Sequence, residues 1–246
     1  MTDFAFLHGG GQGSWVWDET IAAMQAQSGG AARCLALDVP GCGTKRGRDT
    51  SAIVFADIAR ELIADLKAAD MRDIVLVGHS QAGTILPLMA EFAPLGLIRR
   101  LILVACIAPG QGETMMEKMG SGLHGTNPDE VGWPVDPAKS TSEERFGMMF
   151  CNDMSAAEGD AFMAKLGKDM WPACSYTQRD WRFDHLAAIP SSLVLCLQDM
   201  CLPPAWQERF ALQLHCDRTV KIDAGHQVMN TRPHGLAEIL LAEAAG

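Results

Sequence analysis

Short apolar runs alternate along the chain with longer helix-like stretches. Most of the runs are nearly continuous rather than alternating with polar residues, which is typical of strands buried on both faces of a parallel sheet. The predicted strands cover residues 3–7, 33–37, 74–77, 101–106, 193–197 and 219–222, and the predicted helices cover residues 15–27, 51–68, 81–92, 204–214 and 233–245. This order predicts an α/β fold in which a mostly parallel, six-stranded sheet carries helices on both faces.

One segment interrupts the alternation. Residues 109–185 contain no convincing strand, and they are rich in Met, Gly, Pro and Trp, with eight of the fourteen methionines of the chain. A segment of this length between two strands is too long for a plain loop. We therefore expect an inserted, mostly helical cap, with a core formed by residues 1–108 and 186–246.

The composition is compatible with such a core. Of the 246 residues 48% are apolar, and no low-complexity tract or long charge block predicts disorder. No apolar stretch approaches the roughly 18–20 residues of a membrane span, and no basic segment before an apolar one predicts a signal peptide. The net charge of −10 argues against a nucleic-acid partner. Eight cysteines without a C-x-x-C pair favour a reducing, cytoplasmic location.

The strongest candidate for chemistry follows the third predicted strand. The sequence GHSQAG at residues 78–83 places Ser80 between small residues, as a nucleophile elbow of the type G-x-S-x-G requires. Gly78 is one small neighbour, and Ala82, where the strict motif has Gly, is the other. The sharp turn from strand to helix is expected to lift the Ser80 hydroxyl to the carboxyl edge of the sheet. In isolation the same motif would be only a Gly/Ser turn.

A glycine-rich loop, HGGGQG at residues 8–13, follows the first predicted strand. Its spacing fits neither G-x-G-x-x-G nor G-x-x-x-x-G-K-[ST], so we expect no nucleotide cofactor. Acyl transfer instead requires two donors aimed at the oxygen of a tetrahedral intermediate. We expect those donors to be the backbone N–H groups of Gly10 and of Gln81, the residue after the candidate nucleophile.

A serine nucleophile needs a neutral imidazole to accept its proton and an acid to orient that imidazole. In α/β folds with this elbow the chain order is Ser, then Asp or Glu, then His. Asp199 follows the fifth predicted strand and His226 follows the sixth, so we expect these two to be the acid and the base. Asp223 and Glu113 are weaker alternatives for the acid.

The remaining histidines have no comparable position. His79 should point away across the elbow, and His8 should have a structural hydrogen-bonding role. The sequence contains no H-E-x-x-H and no clustered His/Cys spacing, so we expect no metal or other cofactor.

Together these residues resemble the α/β-hydrolase superfamily. The resemblance is greatest to its small six-stranded branch, which includes plant methylesterases, hydroxynitrile lyases and related bacterial esterases. It rests on the opening sequence at residues 8–17, the turn at 38–43, the acid loop at 197–207 and the histidine loop at 224–226. It implies an α/β-hydrolase fold over most of residues 3–108 and 186–245, with the same three catalytic residues.

Departures from the family pattern argue against some of the activities found in the superfamily. Hydroxynitrile lyases carry a Thr directly after the motif histidine and a Lys directly after the catalytic histidine, where this sequence has Gly9 and Gln227. Without that lysine a cyanide leaving group has no cation to stabilise it. Serine at position 80 also differs from the dehalogenase and epoxide-hydrolase branches, which use Asp as the nucleophile.

The sequence therefore favours a serine hydrolase that cleaves a small apolar or aromatic carboxylic ester, or a related amide or carbamate, through an acyl-enzyme. A carbon–carbon bond hydrolase or lyase with the same triad, and a ligand-binding receptor that kept the fold, stay open as alternatives. The expected partner is a small apolar molecule, and the oligomeric state is open, a homodimer included. The candidate substrate contacts are Gly9, Met149, Trp171, Trp181 and Gln227.

Overall fold

A parallel sheet of six strands forms within residues 2–245, the part of the chain that the computed structural model describes. The strands are β1 Thr2–Leu7, β2 Ala32–Leu37, β3 Ile74–His79, β4 Ile98–Val104, β5 Ser191–Cys196 and β6 Arg218–Ile222. Their spatial order is β2-β1-β3-β4-β5-β6, and every pair is parallel. The predicted α/β fold is thus confirmed, with a sheet that is parallel throughout.

Helices cover both faces of the sheet. They are α1 Asp18–Gln27, α2 Phe55–Ala68, α3 Leu86–Phe92, α4 Met115–Met119, α5 Ser142–Phe150, α6 Ala156–Met163, α7 Cys174–Thr177, α8 Pro204–Gln213, α9 Val228–Thr231 and α10 Pro233–Ala245. Alternate residues of β1 belong to opposite cores. Ala5 and Leu7 pack on the side of α2, α3 and α8, whereas Phe4 and Phe6 pack on the side of α1 and α10. Because both faces are covered, the strands need continuous apolar runs.

The order of the strands reverses at β1, which pairs with both β2 and β3. Leu7 lies beside Gly78 in the register of β1 and β3. The loops that follow these two strands therefore open next to each other at the carboxyl edge of the sheet. Open α/β sheets bind their ligands at such a reversal.

A segment of short helices lies between β4 and β5, and we call residues 109–185 the insertion. It contains α4 to α7, and the described structure there has a single isolated β-bridge, between Leu123 and Trp133. Three of its helices begin with a capping box. In this motif the Ser or Thr hydroxyl accepts from the backbone N–H of the Glu three residues later, and the Glu carboxylate accepts from the backbone N–H of the Ser or Thr. The pairs are Thr114 with Glu117, Thr141 with Glu144 and Ser155 with Glu158. No helix within residues 2–245 has the length and apolar character needed to cross a membrane.

Candidate active site

The strand β3 ends in a tight turn that carries Ser80. Its φ is +55°, in the left-handed region that residues other than glycine rarely adopt. A Cβ atom at Gly78 would lie 2.6 Å from the Leu86 side chain, and one at Gly83 would lie 2.8 Å from Cys106 Cβ. Small residues on both sides of Ser80 are therefore a packing requirement, and the strained turn presents the hydroxyl at the edge of the sheet.

This turn brings Ser80 together with the predicted base and acid. Ser80 Oγ lies 2.9 Å from His226 Nε2, and His226 Nδ1 lies 2.7 Å from Asp199 Oδ2. His226 is fully buried and Asp199 is 2% exposed. In this geometry the Ser80 hydroxyl donates to Nε2 while the Nδ1–H donates to the carboxylate. That arrangement uses the neutral imidazole that a general base requires.

Asp199 is held in place through both carboxylate oxygens. Oδ1 accepts from the backbone N–H groups of Cys201 and Leu202, at 2.7 and 2.8 Å. Oδ2 accepts from the side-chain amide of Gln207 at 3.2 Å, and the same amide group bonds to both backbone polar atoms of Cys196, the last residue of β5. Gln207 is fully buried, so it fixes the acid loop to the sheet.

Burial by itself lowers the pKa of His226. The charge of Asp199, the hydrogen bond that its carboxylate accepts from the imidazole, and the nearby Cys201 side chain together outweigh burial and raise the pKa above its ordinary value. The same charge would stabilise the imidazolium that forms when Ser80 gives up its proton. His79 donates from Nε2 to the backbone carbonyl of His226 at 2.9 Å, and burial lowers the pKa of His79 well below its ordinary value. His79 therefore supports the histidine loop as a neutral ring.

The glycine loop after β1 lies against the elbow. A Cβ at Gly9 would lie 3.0 Å from Ser80 Cβ, so the loop is in contact with the candidate nucleophile. Gln81 is in the first turn of the 3₁₀ helix Ser80–Thr84, where backbone N–H groups have no acceptor within the helix. The Gly10 N–H likewise donates to no backbone carbonyl within residues 2–245. Both predicted oxyanion donors therefore belong to the two loops that meet at Ser80, and neither has a backbone acceptor within residues 2–245.

A cavity of about 480 Å³ opens over Ser80. Among the described residues that line it, none carries a formal charge. The methionines of its wall all come from the insertion, and they are Met115, Met116, Met119, Met149 and Met170. The polar side chains of the wall besides Ser80 are Gln81, Trp133, Tyr176 and Cys201. Such a cavity suits a small, uncharged and largely apolar molecule.

The predicted substrate contacts separate into two groups. Met149 lines the cavity. Trp181 lies along a larger, more open groove of about 750 Å³, and its indole N–H donates to the Glu113 carbonyl at 2.7 Å. Gln227 is fully buried, and neither polar atom of its side chain has a hydrogen-bond partner within residues 2–245. The structure thus places Met149, but not Trp181 or Gln227, in the wall of the cavity.

Trp171 and Gly9 contact each other instead of the cavity. The Trp171 indole N–H donates to the Gly9 carbonyl at 3.1 Å, and Trp171 is 2% exposed. A second hydrogen bond from the insertion reaches the histidine loop, where the Asp153 carboxylate accepts from the Gly225 N–H at 2.8 Å. The insertion therefore contacts two loops of the site and forms part of the cavity wall.

The two alternative acids lie in other surroundings. Asp223 accepts from the Gln198 side chain at 2.6 Å, and Glu113 forms an ion pair with Lys118 at 3.0 Å. Within residues 2–245, no group of three or more His, Cys, Asp or Glu side chains is arranged to hold a metal ion.

Four residues of the site were not predicted in these roles: Asp153, Tyr176, Cys201 and Gln207. Gln207 stands in the acid-loop sequence, so its position was visible although its burial was not. Cys201 lies two residues after Asp199, close enough to have been considered for the cavity. Asp153 and Tyr176 belong to the insertion, whose sequence has no periodicity that would indicate which side chains face inward.

Comparison with known proteins adds a family and several relatives. A model of the Alpha/beta hydrolase family matches residues 4–239. The chain is 34% identical to a probable esterase, PIR7A, of Oryza sativa subsp. indica over 113 residues, which are 46% of this chain and 41% of that protein. It is 26% identical to a carbendazim hydrolyzing esterase of Nocardioides sp. (strain SG-4G) over 124 residues, which are 50% of this chain and 49% of that protein. The matched region thus spans less than half the length of either relative.

Solved structures match over the whole chain. A pyrethroid hydrolase from Sphingobium faniae JZ-2 has a TM-score of 0.76 and 21% identity, and the match covers 100% of this chain and 98% of that one. At this level of identity the likeness concerns the fold alone.

Proposed function

The chain belongs to the alpha/beta hydrolase family, and from this premise we propose that it is a serine esterase. Its proposed substrates are small, uncharged carboxylic esters with apolar or aromatic groups. The observation that carries the proposal is the linked set of Ser80, His226 and Asp199, at 2.9 and 2.7 Å, beneath a cavity whose described wall is free of charge. The relatives named as esterases, one of them for the hydrolysis of carbendazim, support an esterase function.

Acylation is the first proposed step. Ser80 Oγ attacks the ester carbonyl carbon while its proton passes to His226 Nε2. The electron pair of the carbonyl bond moves to oxygen, and the N–H groups of Gly10 and Gln81 stabilise the resulting oxyanion. When the intermediate collapses, the bond to the alcohol oxygen breaks and His226 gives that oxygen its proton. The alcohol leaves, and the acyl group stays as an ester of Ser80.

Deacylation repeats these steps with water. His226 takes a proton from water, whose oxygen attacks the acyl carbonyl carbon and forms a second oxyanion in the same place. Collapse breaks the bond to Ser80 Oγ, which recovers its proton from His226, and the carboxylic acid is released. Asp199 stays ionised throughout and stabilises the imidazolium at each step.

We also propose that the insertion acts as the cap of this site. It supplies the methionines of the cavity wall, whose unbranched side chains adapt to different apolar shapes. A charged substrate would lose its hydration without finding a counter-charge among the lining residues, which disfavours its binding. The enzyme should therefore accept esters of different shapes but not charged ones.

The test combines active-site labelling with turnover. Purified wild type and Ser80→Ala are treated with a fluorophosphonate probe and assayed on p-nitrophenyl esters of increasing chain length. Wild type should be labelled and should hydrolyse the shorter esters, and Ser80→Ala should lose the label and about 10⁴–10⁶ in kcat. Ser51→Ala, at an exposed serine far along the chain from the elbow, is the matched control and should be labelled as wild type is.

The outcomes separate the alternatives. Labelling without turnover of any ester would favour a carbon–carbon bond hydrolase, a lyase or a binding protein with an intact nucleophile. Absence of labelling in folded wild type would contradict the role of Ser80.

A further inference from the structure

Two polar side chains lie close to each other in the largely apolar wall of the cavity over Ser80. Gln81 and Tyr176 both line it, and Tyr176 is the single tyrosine of the chain. Burial raises the pKa of the Tyr176 phenol, and the nearby Gln81 side chain partly offsets that effect. The amide and the hydroxyl are therefore neighbours, one from the elbow of the core and the other from the insertion.

The Gln81 amide has an unused donor. Its Nε2 is buried and has no hydrogen-bond partner within residues 2–245. Native structures rarely leave a buried N–H without an acceptor. Because the last torsion of a glutamine side chain is soft, the amide can rotate to bring this N–H toward a ligand. The observation points to an acceptor that arrives with the substrate.

The position of the amide is set by the oxyanion loop. Gln81 Oε1 lies so close to Gly10 that a Cβ at residue 10 would overlap it. The amide thus lies between Gly10 and Tyr176, beside the backbone N–H groups that would hold the oxyanion. An acceptor that it binds must be close to the scissile carbonyl.

The other polar groups of the wall are less suited to bind a ligand oxygen. The Trp133 indole N–H already donates to the Gly120 carbonyl at 2.8 Å, and the thiol of Cys201, beside His226, is a weak donor. Gln81 and Tyr176 are therefore the side chains best placed to recognise a polar atom of the substrate that does not react.

We propose that Gln81 and Tyr176 form a subsite for a second oxygen of the substrate, an ether or carbonyl oxygen close to the scissile ester group. The amide N–H and the phenol O–H donate to this oxygen, and no charge is involved. The favoured substrates are then uncharged esters with an additional oxygen acceptor, rather than plain hydrocarbon esters. This inference rests on the proposed esterase function.

The experiment compares esters that differ by one oxygen in place of a methylene group. On the acyl side the pair is p-nitrophenyl 3-methoxypropanoate and p-nitrophenyl pentanoate, and on the alcohol side it is 2-methoxyethyl acetate and butyl acetate. The readout is the ratio of kcat/KM for the oxygenated ester to that for the hydrocarbon ester. Intrinsic reactivity of the esters cancels when this ratio is compared between wild type and a variant.

Two variants remove the donors with little change in volume, Gln81→Met and Tyr176→Phe. Each should lower the ratio about fivefold to tenfold for at least one pair, as expected for loss of a hydrogen bond between uncharged groups. Gln81→Met retains the backbone N–H of residue 81, so the oxyanion donor is still present. Met149→Leu, an apolar change in the same wall, is the control and should alter both esters of a pair by the same factor.

Failure of the subsite and failure of the esterase proposal give different results. Hydrolysis of all four esters with one ratio in wild type, Gln81→Met and Tyr176→Phe would overturn the subsite and leave the esterase intact. If folded wild type hydrolyses none of the four esters, the proposed function itself is contradicted, and the subsite with it.

Discussion

The parallel sheet and the insertion reach their structures in opposite ways. Every residue of the central strand β3 is buried, and its first four residues, Ile74 to Val77, are all apolar. The longest helix of the insertion, α5, has nine residues, of which Met149 is buried. Capping boxes inside the same segment define where α4, α5 and α6 begin. Long-range apolar burial thus specifies the core, whereas local hydrogen bonds specify much of the insertion.

The two regions also differ in how they are joined. The insertion packs apolar residues such as Trp171 and Trp181 into the core, and it is also attached through buried polar groups, among them Asp169. Its carboxylate, with the side chain fully buried, accepts from Arg46, from the Trp15 indole N–H at 3.0 Å and from the Gly43 N–H at 2.8 Å. Hydrogen bonds are directional in a way that apolar contacts are not. The core therefore supplies the candidate reacting groups, and the insertion supplies part of the cavity wall and hydrogen bonds to the loops around it.

Removing a reacting group of the core should have the largest effect. Asp199→Asn keeps the shape of the side chain but removes its charge, and kcat/KM should fall about 10⁴-fold at neutral pH, which corresponds to about 5.5 kcal/mol. In wild type, activity requires neutral His226, and Asp199 raises the pKa of that imidazole. The wild-type kcat/KM should therefore rise with pH through a midpoint above about 6.5. In the variant this midpoint should move to lower pH.

Asp223→Asn is the control for this change, because Asp223 was the alternative acid and bonds to Gln198 instead. It should leave the pH midpoint where wild type has it. An Asp199→Asn variant with the wild-type midpoint would mean that another group sets the pKa of His226.

Stability should depend on the core more than on the insertion. Leu103 in β4 is 1% exposed, and Leu103→Ala should lower the free energy of unfolding by about 2–5 kcal/mol. Met170, in the insertion, is 60% exposed, and Met170→Ala should change it by about 0.5 kcal/mol or less. Urea unfolding with an unchanged m-value measures both. Equal effects of the two substitutions would contradict the contrast between the regions.

The same contrast explains what could be predicted from the sequence. A buried strand needs a continuous apolar run, so strands such as β3 and β5 were visible for that reason. The edge strand β6 has no fully buried residue, and this reason does not apply to it. Parallel strands bring their carboxyl ends to one edge, so the positions of Ser80, Asp199 and His226 after three strands predicted that they would meet there. Their distances in the structure, 2.9 and 2.7 Å, agree with that expectation.

The contacts of the insertion were not predictable in this way. The hydrogen bond from Trp171 to Gly9 joins residues 162 positions apart, and no local pattern encodes it. Trp171 and Trp181 look alike in the sequence, yet one supports the glycine loop and the other lies along an outer groove. The helix starts were encoded, because Thr or Ser followed three residues later by Glu is a capping-box signature. Local order was thus visible there, and tertiary placement was not.

A change at the junction should lower turnover without a large loss of stability. Trp171→Phe keeps an aromatic ring but removes the N–H that donates to the Gly9 carbonyl. The loop that carries the Gly10 N–H is then less well fixed, and kcat should fall about tenfold, or about 1.4 kcal/mol, with little change in KM. Trp181→Phe removes a similar indole hydrogen bond, to Glu113, and its effect on kcat should be much smaller. Equal losses in both variants would mean that the Gly9 contact has no special role.

The smallest expected effect tests whether the insertion unfolds independently of the core. Thr141→Ala removes the cap of α5, which costs about 1 kcal/mol. If the helix is specified locally, amide exchange across Ser142–Phe150 should become about fivefold faster, while exchange in β3 stays as in wild type. Ser142→Ala, one residue further on and outside the cap, should leave both unchanged. If amide exchange became faster by the same factor in α5 and in β3, the insertion and the sheet would unfold as one unit, because the loss of the α5 cap would then destabilise the core as well.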